Sequence, residues 1–208
     1  MPVFVRENYW VLETANAAYA FGLTPRGLLA HAYWGARLPF AEDYPAVADG
    51  AAWASFTHGD HLTPEEYPAY AGAKYIEPCL KATQADGVRD TALQFAAAEV
   101  TAGDTLRVTL RDAHYPLEIV LCYRAHAAHD LIERWAEITN RGGAPVTLER
   151  AWSALWHLPW GGDYRLSHLS GRWLDEWRLQ REALQPGVKV KESRRITTSH
   201  HTKPWFAV

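Results

Sequence analysis

Apolar and polar residues alternate through the middle of the chain with a period of two. In TLRVTLRD (105–112), Leu106, Val108 and Leu110 fall on one side and Arg107, Thr109 and Arg111 on the other, the pattern of a half-buried strand. PLEIVLCYRA (116–125) repeats it, with Leu117, Ile119, Leu121 and Tyr123 together. In DLIERWAEITNRG (130–142), Ile132, Arg134, Ala136 and Ile138 oppose Leu131, Glu133, Trp135 and Glu137. Short turns separate these runs, through Ala113–Tyr115 and through Asn140-Arg141-Gly142-Gly143, where Asn and Gly tolerate positive φ. PVTLERAWSALWHL (145–158) starts a further strand. Near the N-terminus, NYWVLET, AAYAFGLT and LLAHAYWGARL are three short segments parted by Asn16 and by Pro25-Arg26-Gly27. Many strands joined by short turns predict an antiparallel β-sandwich or meander.

Two stretches break the pattern. From 39 to 78 the chain holds Pro39, Pro45, Pro64, Pro68 and Pro78 with Gly50, Gly59 and Gly72, and shows little periodicity. A loop this long in a compact domain is usually functional or covers a partner. The second is GRWLDEWRLQREALQPG (171–187). Leu174, Trp177, Arg181 and Leu184 recur at helical spacing, so local propensity favours a helix ended by Pro186-Gly187. The chain closes on an apolar segment, PWFAV, which reads as a strand interrupted inside a sheet.

Composition narrows the class. Of 208 residues, 48% are hydrophobic and 22% charged, with a formal charge of −3, which suits an ordinary globular protein. That charge has the wrong sign for a protein built to neutralise phosphates, so nucleic acid is not an expected partner. No apolar run reaches the roughly 20 residues of a membrane helix, and charges interrupt the start where a signal peptide keeps its apolar region. The expected compartment is the cytoplasm, with Cys79 and Cys122 as structural thiols. Ten Trp and ten Tyr suit sheet cores foremost, and sugar platforms as the sharper reading.

Spacing alone reveals no catalytic set. His58, Asp60 and His61 cluster in the long loop but match no metal-site spacing, and a polar loop explains them better than a metal does. His126, His129 and Asp130 sit at a turn between strands, and His200-His201 at the start of one. There is no nucleophile elbow, phosphate loop or dinucleotide fingerprint, and no cofactor is expected. Glu65-Glu66 and Asp175-Glu176 are adjacent carboxylate pairs. Glycosidases place two carboxylates across a sugar, whereas neighbours on a strand point to opposite faces. Both pairs therefore read as solvated charges.

Several stretches, taken in order, resemble one family. YWGARL (33–38), EEYPAYAG (65–72), EPCLKA (77–82) and DGVRDTALQF (86–95) are followed by residues 129–159 and by LSGRWLDEW and the rest of 169–208. Together they resemble the N-terminal domain of family 36 glycoside hydrolases, the α-galactosidases. The resemblance implies an all-β fold, an antiparallel β-supersandwich with a long Pro/Gly-rich loop and few short helices. It also implies a following (β/α)8 barrel that carries the aspartate nucleophile and the aspartate acid/base of a retaining mechanism. Residues 1–208 then form the N-terminal domain, incomplete at its C-terminal end and without the barrel. No catalytic residue is expected in this chain, and the chain alone is expected to be inactive.

The resemblance further implies an oligomeric parent, a tetramer in many bacterial members, in which a loop of this domain reaches the neighbouring subunit's active site. There the family carries Ser-Leu-Asp ahead of Leu-Pro-Gln-Glu-Tyr-Pro. In HGDHLTPEEYPAY (58–70) the family's Asp falls on His61, Asp60 is one position off, and Lys74-Tyr75-Ile76 replaces a downstream Asp-Phe-Arg. Asp60, His61 and Tyr67 are the implied substrate-loop residues, for α-galactosides of the melibiose and raffinose type. The resemblance also turns 171–187 into a strand, with Trp173, Asp175, Trp177 and Leu179 on one face and Leu174, Glu176, Arg178 and Gln180 on the other. Outside this family, a free-standing carbohydrate-binding sandwich and a purely structural sandwich remain the alternatives.

Overall fold

β3 (Ala17–Leu23) shows how local sequence builds this protein. Its residues alternate small and aromatic, and both faces are buried: Tyr19 and Phe21 look one way, Ala18 and Ala20 the other. The aromatic side fills the main core. The alanine side lets the chain beyond Ala36 lie close over the sheet, where Tyr44 packs on Val11, Ala18 and Ala20. Tyr44 Oη donates to Glu13 Oε1 at 2.7 Å and accepts from the Leu38 amide at 3.1 Å.

The computed structural model describes residues 2–50, 56, 62–72, 74, 76–159, 161–192 and 201–208, the side chains of 201 and 204 aside. They form two compact units, 1–159 and 160–208. In the first, β1 (Val3–Arg6), β2 (Tyr9–Glu13), β3 and β4 (Leu29–Ala36) make a four-stranded antiparallel meander. β5 (Leu80–Thr83) pairs with β10 (Thr147–Ala151). β6 (Leu93–Thr101), β7 (Thr105–Asp112), β8 (Leu117–His126) and β9 (Leu131–Asn140) form a second four-stranded meander.

The two meanders pack their apolar faces together as a sandwich. Phe21 stacks on Tyr123 with ring centroids 4.5 Å apart, and Trp10 meets Phe21 at 5.6 Å and Phe95 at 5.7 Å. The faces read from alternation hold: Leu106, Val108, Leu110, Leu117, Ile119, Leu121 and Tyr123 are all buried in this core. Carboxylates and amides fix the turns. Asp112 Oδ1 accepts from the amides of His114 and Tyr115 between β7 and β8, and Asn140 Oδ1 accepts from Gly142 after β9. Asp130, in the β8–β9 turn, ties that end to the β2–β3 turn by accepting from Thr14 Oγ1 and the Asn16 amide.

The second unit holds β11 (Arg165–Arg172), β12 (Asp175–Ala183) and β13 (His201–Ala207), in the order β12-β11-β13 and antiparallel. Residues 175–183 are therefore a strand, as the resemblance implied and against local propensity. The period-two faces implied for 173–180 need correction. Trp173 and Leu174 form the hairpin turn, and Trp177 has φ 66°, in the left-handed region, so alternation fails beside the register shift opposite Ser170 and Arg172. Gly171 makes this possible, because a Cβ there would stand 2.6 Å from the Asp175 carbonyl oxygen. Among the described residues, helix is confined to short 3-10 turns, Ala41–Asp43 and Ala127–His129.

Candidate functional site

Residues 63–70, within the aperiodic stretch, stitch two sheets together. The His31 amide donates to Pro64 O at 2.8 Å and the Glu66 amide to Leu29 O at 2.9 Å, so the segment lies along β4. Four residues on, Cys79 N donates to Pro68 O and Tyr70 N to Leu80 O, which joins it to β5. Thr63 Oγ1 accepts from the Gly50 amide at 3.0 Å, so the positions flanking 51–62 are held together.

The middle of the segment is sunk into the sandwich by charge. Glu66 is fully buried, and each carboxylate oxygen has two partners. Tyr19 Oη donates to Oε1 at 2.6 Å, and His31 Nδ1 is 3.5 Å from the same oxygen. Tyr123 Oη donates to Oε2 at 2.9 Å, and Arg134 Nη2 lies 2.7 Å from it. Arg134, with its side chain only 3% exposed, also donates to Leu155 O at 2.7 Å and lies 4.5 Å from the Trp156 ring centroid. His157 stacks on His31, and its Nε2 is 3.0 Å from Glu65 O.

These contacts set the protonation states. Burial pushes the Glu66 carboxyl up, but Arg134 together with hydrogen bonds from His31 and Tyr19 outweighs it, leaving Glu66 below the usual carboxylate range. Burial beside that carboxylate holds the Tyr19 and Tyr123 hydroxyls well above their ordinary value. Arg134 is held further above its ordinary value, since Glu66 and the two tyrosines overcome the desolvation. Burial lowers His157. Glu66 is thus a charged carboxylate whose oxygens are all engaged. It has no path to a substrate and cannot serve as nucleophile, acid or base. Its chemistry is anchoring.

The reading of Glu65-Glu66 as solvated charges is corrected here. Glu66 is in the core, and Glu65 is buried in an ion pair with Lys74 Nζ at 2.6 Å. Asp175 does behave as a surface charge, paired with Arg178 at 2.6 Å. The signal that sequence reasoning left unused was Arg134, which shares a strand face with Ile132, Ala136 and Ile138. An Arg on an apolar face requires a buried partner.

Tyr67 also points inward. It is 3% exposed, and its hydroxyl donates to Trp152 O at 2.9 Å. Burial, then the neighbouring Cys79, raises its pKa, and burial pushes the Cys79 thiol up to about 12. Asp60 and His61, with His58, lie outside the described residues. Among the described residues no three His, Cys, Asp or Glu side chains gather as a metal-binding group. No described helix is long and apolar enough to cross a membrane.

The fold defines an all-β, antiparallel sandwich class, with its aperiodic segment clamped from within. Comparison with known proteins makes the class specific: the Glycosyl hydrolase family 36 N-terminal domain matches residues 27–208, and the chain belongs to that family. α-Galactosidase AgaA of Geobacillus stearothermophilus is 29% identical over 95% of this chain and 30% of its own length. The crystal structure of α-galactosidase AgaB from the same organism is 28% identical, with a TM-score of 0.85 over 99% of this chain and 32% of that one. A variant of AgaA in complex with raffinose is 29% identical, with a TM-score of 0.79 over 95% of this chain and 31% of that one. The chain therefore spans about a third of the length of these relatives.

Proposed function

We infer that this chain is the N-terminal domain of a cytoplasmic α-galactosidase that hydrolyses terminal α-galactosides, of the melibiose and raffinose type, with retention of anomeric configuration. Family membership across residues 27–208 carries this reading. The reaction's two carboxylates belong to a barrel outside these 208 residues, and residues 1–208 contribute as the N-terminal β-supersandwich domain. Its tasks are to support a homo-oligomer and to build the rim of the active site. Asp60 and His61 contact the substrate of a neighbouring subunit, and Tyr67 belongs to the same rim segment. No metal or cofactor takes part.

The test uses the full-length enzyme and the 208-residue chain in parallel. The full enzyme should release galactose from p-nitrophenyl α-galactoside, with the α anomer appearing first by NMR, and the chain alone should not. Asp60→Ala and His61→Ala in the full enzyme should raise KM for raffinose. Turnover by the 208-residue chain, abolished by a substitution within it, would overturn the reading.

A further inference from the structure

The carboxylate-guanidinium pair Glu66–Arg134 does more than fill a core. A buried ion pair is a poor source of stability, because desolvation offsets its attraction; what it does in some proteins is impose one arrangement of the groups that hold it. Here it imposes the position of residues 63–70. Glu66 comes from that segment itself, and every group that grips it comes from elsewhere: Tyr19 on β3, His31 on β4, Tyr123 on β8 and Arg134 on β9. Both meanders therefore hold one carboxylate between them. Arg134 also accounts for itself on the other side, through Leu155 O and the Trp156 ring.

The clamped stretch is short and its flanks are exposed. Leu62 and Tyr70 are 41% and 44% exposed, whereas Thr63, Glu66, Tyr67 and Ala69 are buried. A one-residue slip would carry Glu65 to the pocket and leave Tyr67 without its acceptor on Trp152. It would also uncouple the segment from Leu29, Cys79 and Leu80 at once. The clamp thus fixes both register and depth.

We propose that Glu66 and Arg134 are positioning residues for the active-site rim, setting the register of residues 63–70 against the sandwich. They act through the rim and touch no substrate. The inference rests on the rim role given above. Misplacing a substrate-positioning element by about 1 Å can cost on the order of 100-fold in rate. The amide variant keeps shape and size, so a smaller effect is expected, on the order of ten-fold in KM for raffinose.

The experiment is a double-mutant cycle in the full-length enzyme, with KM and kcat measured for raffinose. Glu66→Gln should raise KM on the order of ten-fold with kcat changed far less. In an Asp60→Ala/His61→Ala background it should add little, because the groups it positions are gone. If the double alanine variant raises KM but Glu66→Gln does not, or if the two effects multiply, the positioning role is refuted while the rim reading survives. If the double alanine variant changes nothing, the rim reading itself fails, and the inference with it. Should Glu66→Gln not fold, Tyr19→Phe and Tyr123→Phe each remove one donor to the carboxylate. They should raise KM in the same non-multiplying way, and unchanged KM in both would refute the proposal.

Discussion

Replacing Arg134 with methionine would leave the Glu66 carboxylate buried without its cation while keeping an apolar side chain of comparable length. Removing one partner of a buried ion pair costs about 3–5 kcal/mol, because the remaining charge is uncompensated. Glu66 is 0% exposed and Arg134 3%, so solvent offers no relief. For a domain of 150–250 residues, about 1 kcal/mol moves Tm by about 2–4 °C, so the expected fall is about 6–20 °C. Circular dichroism melts of the purified chain measure it. Two further results must follow. The isolated carboxylate will take up a proton more readily, so the deficit relative to the parent should shrink as pH falls toward 5. Adding Glu66→Gln to Arg134→Met removes the orphaned charge and should recover about 1–2 kcal/mol. A loss below about 1 kcal/mol, or a double variant less stable than Arg134→Met alone, would refute the assignment of a charged, desolvated pair.

Acid should destabilise the first unit in two steps. His157 has a lowered pKa in the folded state, so the unfolded chain binds its proton first; stability present above about pH 6.5 declines below it, and His157→Gln should flatten the Tm profile between pH 7 and 5. Glu66, also lowered, adds a second loss once pH passes below about 4.5. Phe21→Ala removes a ring packed against both Tyr123 and Trp10 and should cost about 3–5 kcal/mol in urea unfolding. Gly171→Ala sets a methyl against the Asp175 carbonyl and the Glu176 Cα, so hydrogen exchange in 165–183 should accelerate while the β6–β9 amides stay protected.

How much of this was legible in the sequence follows the physics of each element. β7 and β9 alternate because one face of their sheet meets the core and the other is more open, and the sequence displays that directly; β8 between them also carries Val120 and the buried Cys122 on its second face. β3 was readable as a strand but not as one buried on both faces, because its alanines are covered by Tyr44, far along the chain. β6 went unread: in LQFAAAEVT a bulge between Phe95 and Ala97 shifts the register, so its apolar residues do not keep step. The strand at 175–183 was concealed by good helix formers and required the family resemblance. The clamp lay half in view. Arg134 stood on an apolar face, but nothing local distinguishes Glu66 from Glu65, and only tertiary packing decides which of the two meets Arg134 in the core.

The stitching of 63–70 across two sheets has a kinetic consequence. The groups around Glu66 come from positions 19, 31, 123 and 134, so its cage is complete only after both meanders have formed and docked. Until then a charged segment has no reason to leave water, and joining contacts so far apart carries a large loop-closure cost. The segment therefore locks last. The carboxylate acts as a checkpoint on assembly: a sandwich with a mispaired strand cannot complete the cage, and residues 63–70 stay undocked until strand order is correct.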